Sequence, residues 1–409
     1  NGSDTLALAA GKYNSHQPWE NPTVAMANAN GATGDVVVVY PGIYTIGAGG
    51  NIADDGLQQM VRDGVTLYML PGAVIHYTNL TGTASLPFSD GGVASTFIVR
   101  GHGKFILNRD VTGGDTFLCT TNANTVVDWE MDELDIRRRL EGTGHDCARW
   151  RMVGRKWTQR ESQLAAMRFP FAASGREVFV KFERTEILEE NVNNTWTRFE
   201  LRNFNNGSKA DIDLGEVTFP QGYPGGALFQ KTTCSADSVI NFKASRAVRT
   251  NNDGIRDYLV VGLADFSCGV TDIKNIDTPN GLCLYFGTGG VATSKKTENY
   301  QGVIRDGYVG PQIVPCGYSG QATSIKCNLD IVMDSQSVNY QGVVFTNANS
   351  TAVSGKLVWH NTTNPPVQIS IGSTTCGKLE NLILSELDPL IASVINFDPN
   401  PKDIRIMNV

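Results

Sequence analysis

The feature that most restricts what this chain can fold into is a strand–turn–strand unit that returns about every 30 residues. In VVVVYPGIYTI (Val36–Ile46) two stretches rich in β-branched residues flank Pro41-Gly42, the composition of a tight turn between strands. Gly64–Asn79 repeats that shape around Pro71-Gly72, and Ser95–Asn108 repeats it around Gly101 and Gly103. The units start near Val36, Val65 and Thr96. In the C-terminal half, short apolar strands begin near Val239, Ile273, Val303, Leu329, Leu357, Leu382 and Ile404, at gaps of 34, 30, 26, 28, 25 and 22 residues. Short strands at this interval, with no helical periodicity between them, read as a stacked solenoid. Propeller blades need about 40–45 residues each, and a sandwich gives no such regular return of one unit.

The expected class is therefore all-β, a parallel β-helix whose coils stack inward-facing Val, Ile, Leu, Phe and Cys into ladders. One coil cannot cover its own apolar face, so the ends need caps. Residues 20–33 (ENPTVAMANANGAT) read as a short helix with Pro22 in the first turn, placed to cap the N-terminal end and shield an open strand edge. The expected organisation is a cap segment over 1–34 and solenoid over 35–409. Within it, 137–225 is less regular, reading either as coils with long outward side chains or as an excursion from the stack. Insertions in solenoids gather on the binding face, so function is sought there.

Composition agrees with this architecture. The 43 Gly, 16 Pro and charged fraction of 18% leave little material for long surface helices. Apolar runs such as Val36–Tyr40 fall far below the roughly 20 residues of a membrane helix, so no membrane insertion is expected. The net charge of -7 argues against nucleic acid as a general partner. One segment differs: Arg137 to Arg168 holds nine basic and three acidic residues. Eight cysteines lie at wide spacings with no CxxC or Cys/His cluster, so neither a metal site nor any other cofactor is expected, and most read as buried thiols.

The opening helix, GDVVVVYPGIYTI, GVTLYMLPGAVI and FIVRGHGKFI together resemble the start of pectin-lyase-like right-handed β-helix proteins. That group includes polysaccharide lyases, polygalacturonases and bacteriophage tailspikes. The resemblance covers about residues 20–110. It implies a right-handed hand for the coil and a partner that is a polysaccharide. For a tailspike it further implies a parallel homotrimer at the virion surface or in the extracellular space.

Hydrolysis of a glycoside needs an acid and a second carboxylate, about 6.5–9.5 Å apart for inversion. Strand neighbours i and i+2 share one face about 6.5–7 Å apart, so Asp211-Ile212-Asp213 is a candidate pair. Asn251-Asn252-Asp253-Gly254 resembles the N-T-D-G motif of polygalacturonases, which implies an acid–base role for Asp253; the Asp-Asp, His-Gly and Arg-x-Lys elements that follow in that family are not present downstream. The acidic run Asp128, Glu130, Asp132, Glu133, Asp135 alternates with apolar residues beside the basic segment, and ion pairing between the two is expected. Glu183, Glu186, Glu189 and Glu190 read as a solvated charged loop or helix end. For binding, Trp129, Trp150 and Trp157 with Arg149, Arg151 and Arg155 supply rings and cations able to stack sugars and hold anionic substituents. The functional expectation is a spike or tail-fibre protein that binds host-surface polysaccharide; the alternative is a glycan-degrading hydrolase or lyase on the same scaffold.

Overall fold

The computed structural model describes residues 22–46, 61–77, 88–89, 92–108, 116–119, 122–137, 139–142, 147–160, 167–170, 174–188, 199–202, 207–219, 227–232, 238–249, 257–263, 269–278, 282–285, 295–305, 312–314, 324–334, 344–345, 351–360, 370–371, 378–385 and 404–407. These residues form an all-parallel β-solenoid with one short α-helix, the class expected from the repeat. One line of strands stacks in register from Val36–Val39 through Thr66–Met69 and Thr96–Gly101 to the long strands Val126–Arg137, Arg149–Arg160 and Glu177–Ile187. It continues through Lys209–Asp213, Val239–Ala244, Gly269–Thr278, Lys295–Arg305, Ser324–Asp334, Thr351–His360 and Lys378–Ser385 to Ile404–Met407. The second half of each long strand joins a flank that begins with Gly42–Ile46, Ala73–Tyr77 and Lys104–Asn108. A separate parallel sheet runs from Phe88–Ser89 to Gln312–Val314.

The N-terminal segment forms an α-helix over Pro22–Asn28 and a 3-10 turn over Gly31–Thr33, where the sequence suggested one helix over 20–33. Asn30 separates them: its side chain accepts from the Ala32 N–H at 3.1 Å, the local bond that makes Asn a capping residue. The helix lies against Val36–Val39, burying Thr23, Ala25 and Met26. Arg62, from the next coil, donates to the carbonyls of Met26 and Ala27 in the last turn of the helix, where carbonyls lack a full set of helical N–H partners.

Parallel register converts sequence neighbours one coil apart into columns. Val127, Trp150, Val178, Ala210 and Ile240 face inward in one column; Trp129, Met152, Val180, Ile212 and Phe242 form the next. Beyond the bend, Leu134, Trp157, Thr185, Val217 and Ala247 continue the core. Each indole has room because its neighbours above and below in the column are smaller. Trp129 stacks on Phe105 with ring centroids 5.4 Å apart and planes 18° apart. Trp157 tilts against Phe182 at 6.0 Å. Cys147 is buried.

The segment 137–225, irregular as a sequence, is stacked parallel strands wherever it is described, with one register shift between Arg139 and Gly142. Its two longest strands conceal their periodicity because they bend. In Arg149–Arg160 the buried positions are Trp150 and Met152, then Trp157, Thr158 and Gln159, so the most deeply buried residues switch from even to odd positions. Glu177–Ile187 does the same, with Val178, Val180 and Phe182 followed by Thr185 and Ile187. Gly154 sits at the switch, where an added Cβ would come within 2.7 Å of the Phe182 ring and 2.9 Å of the Met131 carbonyl oxygen.

Trp157 lies fully inside this stack, so Trp157→Ala is expected to cost about 3–5 kcal/mol in urea denaturation followed by far-UV circular dichroism. Gly215 has φ +59° and its Cβ would fall 2.1 Å from the Glu183 carbonyl oxygen. Gly215→Ala is accordingly expected to lower the urea midpoint, although it adds apolar surface.

Candidate functional site

The columns that face outward on the same strands carry the candidate chemistry. One runs Ile98, Asp128, Arg151, Phe179, Asp211, Asn241. Beside it run Thr96, Val126, Arg149, Glu177, Lys209, Val239. Residues 23 to 32 apart in sequence thereby become neighbours at the inter-strand spacing, about 4.8 Å.

The acidic run and the basic segment meet on adjacent coils, giving ion pairs within one chain. The Asp128 carboxylate takes Arg100 Nη2 at 2.7 Å on Oδ2 and Arg151 Nη1 at 2.8 Å on Oδ1. Arg151 also reaches Glu130 at 3.2 Å. Arg160 holds Asp135 through two bonds, at 2.7 and 3.1 Å, and Lys104 pairs with Glu133 at 3.2 Å. Glu186 lies 2.7 Å from both Lys156 and Arg184, so the part of the expected charged loop that is described is strand. Burial raises the Asp128 carboxyl, but the hydrogen bonds and charges of Arg100 and Arg151 outweigh it and hold the group below its ordinary range. Burial would lower Arg151, and its bonds to Asp128 and Glu130 outweigh that and raise it.

Of the predicted binding residues, the three tryptophans require correction. Trp129, Trp150 and Trp157 are 0%, 1% and 1% exposed. Each occupies an even- or odd-phase inward position, so its ring fills the core and is closed to sugar. The arginines of that prediction do face outward. Arg151 is committed to Asp128 and Glu130, and Arg155, at the bend, lies 3.2 Å from Asp132. Asp132 also meets His102 Nδ1 at 3.2 Å. This cluster edges a crevice of about 580 Å³ that Glu130 and Glu183 also line. Arg149 is 49% exposed, with only a 4.0 Å approach to Glu177.

Asp211 and Asp213 stand on the same outer face of Lys209–Asp213, as D-x-D on a strand requires. Asp211 is 46% exposed and 3.9 Å from Lys243. Asp213 Oδ1 accepts from the Gly215 N–H at 3.0 Å, a turn contact that ties it to the bend. Asp253 lies outside the described residues, as do Glu189 and Glu190.

A groove of about 370 Å³ runs along the two outward columns, and it is the concave feature that the sequence left unread. Its walls are Arg149, Glu177 and Lys209 on one side and Arg151, Asp211 and Asn241 on the other, with Phe179 between. Asn241 Oδ1 accepts from the Val270 N–H at 3.1 Å, which orients the amide and leaves its NH₂ as a donor. Lys209 makes no ion pair among the described residues. The signal for Phe179 was present: in EVFVKF the alternation of Val178, Val180 and Phe182 inward forces Phe179 outward.

Asp128 is bound more firmly as a carboxylate when folded, so its contribution is complete above about pH 4 and lost as pH falls through the depressed native value. In acid titrations of the urea midpoint, Asp128→Asn is expected to flatten the decline below about pH 4. It should also lower stability at neutral pH, where Arg100 loses its ion-pair partner.

Comparison with protein-family models, with curated proteins and with solved structures finds no match to this chain.

Proposed function

We propose that this chain is a surface-attachment protein of the spike or tail-fibre kind, whose parallel β-solenoid presents a lateral face that binds host-surface polysaccharide. The observation that supports this reading is the groove around Phe179, where an outward ring is flanked by Arg149, Lys209, Asp211 and Asn241. Sugars present apolar C–H faces that pack on aromatic rings and hydroxyl edges that need donors and acceptors, and this wall supplies both kinds of contact. All of these groups sit on strands held by neighbouring coils, so little ordering is required when ligand arrives. The resemblance of the N-terminal coils to tailspikes supports attachment as the role, a location on a virion or outside the cell, and a parallel homotrimer. A second reading, a glycan-degrading hydrolase or lyase, draws on Asp211 at the groove wall with Asp213 one pleat along, a separation of about 6.5–7 Å that suits inversion.

Three measurements decide between these. Incubated with a panel of bacterial surface polysaccharides, the full chain is expected to bind at least one, and Phe179→Ala to weaken that binding about tenfold. Absence of binding across a broad panel would count against both readings. Reducing-end or unsaturated-sugar release that disappears in Asp211→Asn or Asp213→Asn would move the assignment to the enzyme. Light scattering is expected to give a mass near three times 44.3 kDa; a monomer would remove the trimer from the proposal.

A further inference from the structure

The charges around Phe179 do not cancel within the groove. Arg151 lines it, but Asp128 and Glu130, on the preceding coil, take up its guanidinium. Asp211 is answered by Lys243 from the next coil at 3.9 Å. Glu177 approaches Arg149 only at 4.0 Å, with both side chains about half exposed. That leaves Lys209, without an ion pair among the described residues, and a loosely engaged Arg149 on the same wall. They lie in one outward column with Glu177 between them, so their backbones are two coils, about 9.6 Å, apart. Both side chains are long and flexible, and an anion placed over the Glu177 coil is within reach of both.

We infer that the groove is selective for acidic polysaccharide, with a carboxylate-bearing sugar held between Arg149 and Lys209, its ring against Phe179 and its hydroxyls on Asn241 and Asp211. The inference deepens the glycan-binding reading above and rests on it. A neutral glycan would leave Lys209 solvated and gain nothing from it. A sugar acid gains charge-assisted contacts with Lys209 and Arg149 and offsets the single net positive charge that Glu177 leaves on that wall. Arg supplies the fork that matches a carboxylate, while Lys supplies a point charge that tolerates several ring orientations.

The test uses the full chain and the same polysaccharide panel, with every acidic member also supplied after chemical reduction of its carboxyl groups to alcohols. Calorimetric titration is expected to find acidic members among those bound, and carboxyl reduction to weaken each about tenfold or more. Raising salt from about 0.1 M to about 1 M shortens the screening length from roughly 10 Å to roughly 3 Å, and should weaken the acidic ligands and leave neutral ones unchanged. Arg149→Gln and Lys209→Gln are expected to erase most of the difference between native and reduced forms, whereas Phe179→Ala should weaken both alike. Lys181→Gln, exposed on the same strand as Phe179 but outside the groove, serves as the control and should leave the difference intact. Equal binding of native and carboxyl-reduced ligand would overturn acid selectivity while glycan binding stands. An equal loss in Lys181→Gln and Lys209→Gln would also overturn it, by assigning the effect to the general charge of the face. No binding of any member would overturn the glycan reading itself.

Discussion

Everything in this molecule depends on the in-register parallel ladder between coils. Each outer-sheet strand finds backbone partners only in the coils above and below, so the obligatory pairing of N–H and C=O groups dictates the stacking. Once the backbone is in register, side chains follow. A position inward on one coil is inward on the next, and the core is assembled as columns whose members must fit one another in size. The sequence Val127, Trp150, Val178, Ala210, Ile240 is such a column, with one indole between two valines. A slip of one residue would put that indole into water and Arg149 or Arg151 into the core, a penalty that keeps the register unique.

The same ladder organises the outer face. Like charges stacked directly over each other would repel, and the columns largely avoid this. Asp128 precedes Arg151, and Lys104, Glu133 and Lys156 follow one another; where Arg184 then stacks on Lys156, both share Glu186. Each exposed pair contributes little, about 0–1 kcal/mol. Their collective effect is to engage Arg151, Arg155, Lys156 and Arg160, four cations of the segment from Arg137 to Arg168, inside one chain. What remains unconsumed becomes informative. The groove retains Lys209 and a loosely held Arg149, while the crevice at the bend collects Glu130, Asp132 and Glu183 around Arg155. Two concave features of opposite sign share the strands Arg149–Arg160 and Glu177–Ile187, joined by the pair between Arg151 and Glu130.

The N-terminal coils present a different outer surface. Val36, Val38, Tyr40, Ile43 and Tyr68 are all exposed there, and the charged ladder starts only with Arg100 and Asp128. The solenoid is thus differentiated along its length, apolar near the helix and charged through the middle coils. Within the charged region, rigid strands carry the ring, cations and amide of the groove, which is the arrangement that favours binding without reorganisation.

The amino-acid sequence by itself determined the class of fold, because a coil cannot bury its own apolar face and a period near 30 with Pro-Gly and Gly turns leaves stacking as the solution. It also determined that the acidic run of Val126–Arg137 alternates and would meet the neighbouring cations. Only the tertiary structure decided which rings lie beyond a change of phase and which side chains share a site. The long strands switch phase at a bend, as between Met152 and Trp157 in Arg149–Arg160, and a period of two cannot be followed through such a switch. Trp157, beyond the switch, therefore went to the core out of phase with Trp150, and Phe179 came to stand in the groove because its column sets it between Arg151 and Asp211. The groove unites side chains from four coils, Arg149, Phe179, Lys209 and Asn241. That proximity follows from which residue stacks on which, and stacking is settled by packing of the whole column, not by any local stretch of chain.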